Sequence, residues 1–234
     1  MIFSVKKLTK TERVICEKTI SSKAMFALVG DAIMRKEKMS LIRMGDGERH
    51  MLTATDETIF VMLEARHPGW RKRLGVKDLP LDAIKELILD AGNSCTYFAP
   101  SVSGISFSRY NLYDFFAPRP YYIDNFFVND WTKGMIQSLL DASDGVFVLH
   151  SDYKKIIQNF QDNYGTKIRF DGFQKNNWKD NERAIEAAMK SDAQLIFFSA
   201  GPAGKVIGPK IASAENKIVI DVGNTLLPWS EKTH

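Results

Sequence analysis

The chain has 234 residues, 44% hydrophobic and 26% charged, and its 32 Lys and Arg against 28 Asp and Glu leave a net charge of +4. That length suits one large α/β domain or two small ones, and the composition argues against disordered and fibrous classes. The small basic excess gives no ground for nucleic-acid binding. Cys16 and Cys95 lack CxxC spacing, which argues against a disulfide framework or a thiolate zinc site and fits a reducing compartment.

The opening residues, MIFSVKKLTKTE, turn charged at once and lack the apolar stretch of a signal peptide. The longest apolar runs fall well short of the roughly 20 residues that cross a bilayer. The expected location is therefore the cytosol, with contact to a membrane surface left open. One domain over residues 1–234 is expected, with a helical N-terminal segment over about 9–37.

Thr9-x-x-Glu12 predicts a capping box opening a first helix. A second helix is expected over SKAMFALVGDAIMRKEK, with Met25, Leu28, Val29, Ile33 and Met34 on one face. The short strand MSLIR follows. ETIFVMLEAR and LDAIKELILDAG predict two more helices, the latter stopped by Gly92. TYFAPS and RPYYIDN read as strands, DWTKGMIQSLLDA as a helix and DGVFVLH as a buried strand. DYKKIIQNFQDNYG is a helix closing at Gly165, before a short strand KIRF; WKDNERAIEAAMKSD is a helix and AQLIFFSAG a strand. One more helical segment leads to the last strand, KIVIDVG. Strands alternating with helices of this length predict an α/β fold with a mostly parallel sheet and helices on both faces.

Ligands of open α/β sheets gather beyond the carboxyl ends of the strands, where three stretches are expected to converge. In the first, IRMGDGER, Asp46 and Glu48 are next-but-one carboxylates. Hard dications such as magnesium or manganese take carboxylate oxygens together with substrate phosphates. Gly45 and Gly47 would permit a sharp turn and a close phosphate, and Arg43 and Arg49 would neutralise it. The same residues also suit an Asp-Gly turn with Glu48 as a helix cap.

The second stretch, FFSAGPAGKVIGPKIA, is a strand, a glycine loop with Ser199 and Gly201, and a helix start beside Lys205. Backbone N–H groups at such a start attract phosphate; a plain strand–helix turn with Lys205 in solvent is the other reading. Pro209 fits if the helix begins near Val206, and otherwise bends it. In the third, IVIDVGNTL, Asp221 ends a buried strand and Asn224 could bond a base or a sugar hydroxyl. Two further stretches carry polar groups: SGISFSRYN, with Ser106, Ser108 and Arg109, and the basic cluster Arg66, Arg71, Lys72, Arg73 and Lys77 around Trp70. The four histidines show no metal-ligand spacing, and no GxSxG elbow occurs.

At LIRMGDGER the chain resembles the GT-D class of bacterial glycosyltransferases, whose signature is arginine, an apolar residue, then GDGE. RPYYID, the Gly-Pro loop and VIDVGN resemble later segments of that family in the same order, although Met44 and Arg49-His50 depart from its pattern. The resemblance implies a Rossmann-like fold, a UDP-type sugar-nucleotide donor and a divalent metal, Mn2+ or Mg2+, with Asp46 and Glu48 at the metal and diphosphate. It implies a hexosyltransferase-type enzyme acting on a glycan or glycoprotein acceptor. Arg43, Gly45, Gly47, Arg109, Ser199, Gly201, Lys205 and Asn224 are then expected at the donor. Asp221 and Asp124 are candidates for the general base. Two alternatives stand beside it: a non-catalytic nucleotide- or sugar-phosphate-binding module, and a metal-dependent phosphohydrolase. The sequence does not specify an oligomeric state.

Overall fold

The structure is a computed structural model that describes residues 9–101, 112–214 and 216–231. In chain order its elements are α1 (Lys10–Lys18), β1 (Thr19–Ile20), α2 (Ser22–Arg35), β2 (Met39–Arg43), α3 (Asp46–Thr53), α4 (Thr58–Arg66), α5 (Trp70–Arg73), α6 (Leu81–Ser94) and β3 (Tyr97–Ala99). They continue with β4 (Tyr122–Ile123), α7 (Lys133–Ala142), β5 (Val146–Leu149), α8 (Tyr153–Tyr164), β6 (Phe170–Phe173), α9 (Asn181–Lys190), β7 (Leu195–Phe198), α10 (Ile207–Ala214), β8 (Ile218–Asp221) and α11 (Leu226–Ser230).

Six strands form one parallel sheet in the order β3-β2-β8-β7-β5-β6. Successive side chains of a strand point to opposite faces, and here each face carries its own core. Phe147, Leu149, Ile196, Phe198 and Val219 pack with Ile84 and Ile88 of α6, Ala188 of α9 and Ile211 of α10. Val146, Val148, Leu195, Phe197, Ile218 and Ile220 pack with Val29 of α2, Leu139 of α7, Phe160 of α8 and Trp229 of α11. A strand covered on both sides needs apolar residues at every position, which is why VFVL, LIFF and IVI show no polar alternation. The fold is thus the expected Rossmann-like α/β arrangement.

The Thr9–Glu12 capping box forms as predicted. Gly165 ends α8 in the left-handed region at φ 60°, and Pro209 falls in the first turn of α10, where it removes no helical bond. Other expectations change. Met25, Val29 and Ile33 face the core from α2, but Leu28 and Met34 are exposed. Gly92 does not stop α6, which runs on to Ser94; a Cβ there would overlap the Phe116 ring, so glycine serves packing. RPYYIDN supplies β4, which lies outside the main sheet and pairs with β1 through Thr19–Tyr122 and Ile20–Ile123. Arg119 of that segment donates to the carbonyls of Gly92, Asn93 and Cys95 and so holds the C-terminal end of α6. The strand expected at KIRF is displaced to Phe170–Phe173. Among the described residues, no helix is long and apolar enough to cross a membrane.

Candidate active site

β2, β7 and β8 are neighbours and parallel, so their carboxyl ends deliver the residues after Arg43, Phe198 and Asp221 to one place. A cavity of about 260 Å³ lies there, lined by Arg43–Glu48, Ser199–Pro202, Lys205, Asp221 and Gly223–Thr225, with Leu74 and Asn125 closing its sides. The three stretches expected to converge are therefore brought together. Arg109 lies outside the described residues, as do Ser106 and Ser108.

The centre is an ion cluster. Lys205 Nζ is 2.5 Å from Asp221 Oδ2 and 3.5 Å from Glu48 Oε1. Lys205 and Glu48 are each 8% exposed and Asp221 is fully buried. Burial pulls the Lys205 ammonium down, but Asp221 and Glu48 outweigh it and hold its pKa above the ordinary lysine value. The other Glu48 oxygen accepts the Gly45 N–H at 2.9 Å, tying the glycine turn to the first turn of α3. Asp221 also accepts from the Arg43 and Gly223 N–H groups at 3.2 and 3.1 Å.

Arg43 is committed as well. Its Nε donates to the Asn125 carbonyl and its Nη1 to the Val222 carbonyl, both at 2.6 Å. Burial lowers its pKa, with Asp221, Glu48 and Asp124 pulling the other way. Gly223, at φ 52°, is required twice over: L side chains rarely adopt that conformation, and a Cβ there would lie 2.8 Å from Arg43 Nη1. Gly201, at φ 63°, lies so close to the Leu74 carbonyl that a Cβ has no room.

Several expected roles change on this geometry. Lys205 is neither in solvent nor open to a phosphate, because two carboxylates hold it. Asp221 is a buried anchor for Lys205 rather than a base within reach of a substrate hydroxyl. Asp124 accepts the Phe126 N–H and lines a different cavity, beside Ser22 and Asn129. A Cβ at Gly47 meets nothing within 4 Å, so no neighbouring atom demands glycine there; at Gly45 a Cβ would lie 3.1 Å from Asn125 Nδ2.

The two carboxylates of the DxE pair separate. Asp46 is exposed, with one oxygen on the Gly47 N–H, whereas Glu48 points inward to Lys205. Among the described residues, no group of three or more His, Cys, Asp or Glu is placed to hold a metal ion. A magnesium-type ion, however, takes one or two carboxylates and completes its sphere with substrate phosphates and water. The inner cluster balances two cations, Arg43 and Lys205, against two carboxylates, Glu48 and Asp221. It therefore leaves no net positive charge for a diphosphate. The donor this leaves for a dication is the exposed Asp46 carboxylate, since one Glu48 oxygen faces Lys205 and the other accepts the Gly45 N–H.

Asn125 lies in no motif that would announce it in the sequence. It is 7% exposed and its Nδ2 donates to the Met44 carbonyl at 3.0 Å. Its buried Oδ1 has no hydrogen-bond partner among the described residues. Ser199 and the exposed Asn224 line the same cavity. The basic cluster around Trp70 is partly structural: Arg71 donates to the Leu79 carbonyl and lies 4.0 Å over the Phe60 ring.

In comparisons with protein-family models, curated proteins and solved structures, the chain matches none.

Proposed function

We propose that the chain is a metal-dependent glycosyltransferase of the hexosyltransferase type, moving a sugar from a UDP-linked donor to a hydroxyl of a glycan, glycoprotein or other acceptor. The observation that carries this reading is the convergence of Arg43–Glu48, Ser199–Lys205 and Asp221–Asn224 in one cavity at the carboxyl ends of parallel strands. The resemblance of IRMGDGER to the GT-D signature supports it.

In this reading Asp46, with Glu48 behind it, would hold Mn2+ or Mg2+ for the donor diphosphate. When bound, such an ion counters the negative charge that grows on the leaving diphosphate. Lys205, Asp221 and Arg43 act one step back. Through Glu48 and the Arg43 N–H they fix the Gly45–Glu48 turn, which carries Asp46, against the Gly201–Lys205 loop. Fixed charge of this kind needs no reorganisation as the reaction proceeds. Ser199 and Asn224, which line the cavity, provide hydrogen bonds for sugar or ribose hydroxyls. Cytosolic residence is proposed with it, supported by the free thiols of Cys16 and Cys95.

The enclosure of Asp221 favours a second reading, a nucleotide- or sugar-phosphate-binding module without turnover. A panel of nucleoside-diphosphate sugars, incubated with manganese or with chelator while nucleotide release is followed, separates the two. Transfer predicts slow metal-dependent hydrolysis of one donor, accelerated by the right acceptor. Donor binding with no release under any condition supports the module, and release of inorganic phosphate instead supports a phosphohydrolase.

A further inference from the structure

The sheet reverses its winding between two neighbouring strands: β5 leads outward to β6, whereas β7 leads inward to β8. Such a switch point opens a crevice beyond the strand ends. A second cavity, of about 230 Å³, lies there and shares Leu74, Ser199, Ala200, Gly201 and Asn224 with the Asp46 cavity. Among the described residues, none that lines it is an Asp or Glu.

Its donors come from four segments. Lys175, after β6, is 5% exposed and donates one Nζ hydrogen to the Asn177 carbonyl at 2.8 Å. Among the described residues its electrostatic carboxylate partner is Asp180, which is occupied by the N–H groups of Asn176 and Asn177. Arg73, exposed at the end of α5, adds a guanidinium. His150 Nδ1 accepts the Asp152 N–H at 2.9 Å, so the neutral ring carries its proton on Nε2 as a donor. Ser151 and Ser199 supply hydroxyls. A buried ammonium without a paired carboxylate is costly, and an anion in the cavity offsets that cost.

We propose that this second cavity is a phosphate-binding subsite, in which Lys175 and Arg73 hold an anionic group of the second substrate beside the donor. Assigning the anion to the acceptor rests on the transfer reading; the phosphate site itself does not.

Inorganic phosphate titrated by calorimetry into wild type, Lys175→Met, Arg73→Gln and Asp46→Ala tests it. Wild type and Asp46→Ala bind phosphate alike, and loss of one charged donor weakens binding about tenfold in each of the other two. If Lys175→Met does not fold, the exposed Arg73→Gln carries the comparison. No binding to wild type, wild-type affinity in both cation variants, or loss confined to Asp46→Ala overturns the proposal. Adding UDP with manganese then identifies the source. Phosphate bound independently of UDP belongs to the acceptor; displacement one for one assigns it to the donor and overturns the acceptor assignment. Phosphate bound as predicted, with no donor turned over, fails the transfer reading alone.

Discussion

Lys205 holds two carboxylates that the fold has almost removed from water, so its removal strands charge rather than merely deleting a bond. Lys205→Met is expected to cost about 3 to 5 kcal/mol in urea unfolding, because Asp221 and Glu48 lose their shared cation. Asp46→Ala is expected to unfold at the same urea concentration as wild type, since Asp46 is exposed and its hydrogen bond is to its neighbour's N–H. Lys175 gives a pH signature. Burial lowers its pKa from 10.5 to about 8, with Asp180 opposing. Between those values the unfolded chain binds the proton and the folded chain does not, so folding becomes more favourable as pH rises through that window. Wild type is therefore expected to gain stability relative to Lys175→Met from about pH 8 to 10.5; a pH-independent difference in denaturant midpoint contradicts this placement of the ammonium.

Elements whose cause is local were legible in the sequence, and those whose cause is distant were not. The capping box of α1, the left-handed Gly165 and the unbroken apolar runs of β5, β7 and β8 each state their structure within a few residues. β1 and β4 pair over only two residues each, across about a hundred positions of chain, and no pattern of so short a length announces a partner. Gly92 carried a stop signal by type, but the Phe116 ring decides its use. The cap is open to test: Thr9→Ala is expected to cost about 1 kcal/mol in stability, with helix loss confined to α1 by hydrogen exchange.

At the scale of the molecule, parallel strand order gathers the site. Arg43, Ser199 and Asp221 could be placed together because each follows an apolar strand, and strand ends in such a sheet share one edge. What they do there was less legible. Lys205 and Asp221 neutralise each other across 16 residues of chain, and Asn125, His150 and Lys175 enter through loops with no motif. The same edge carries two adjoining cavities, one with an exposed carboxylate and one lined without any among the described residues. That division suits a cation with a diphosphate on one side and an anionic partner on the other.

Whether Asp46 holds a metal at a sugar-nucleotide diphosphate is decided by comparing wild type and Asp46→Ala for manganese-dependent release of nucleoside diphosphate from the preferred donor. Wild type is expected to release it in a reaction that chelator abolishes, and the folded Asp46→Ala protein to lose about a hundredfold or more, the scale of one electrostatic contribution to catalysis. Unchanged release and unchanged metal dependence in Asp46→Ala would contradict that role for Asp46.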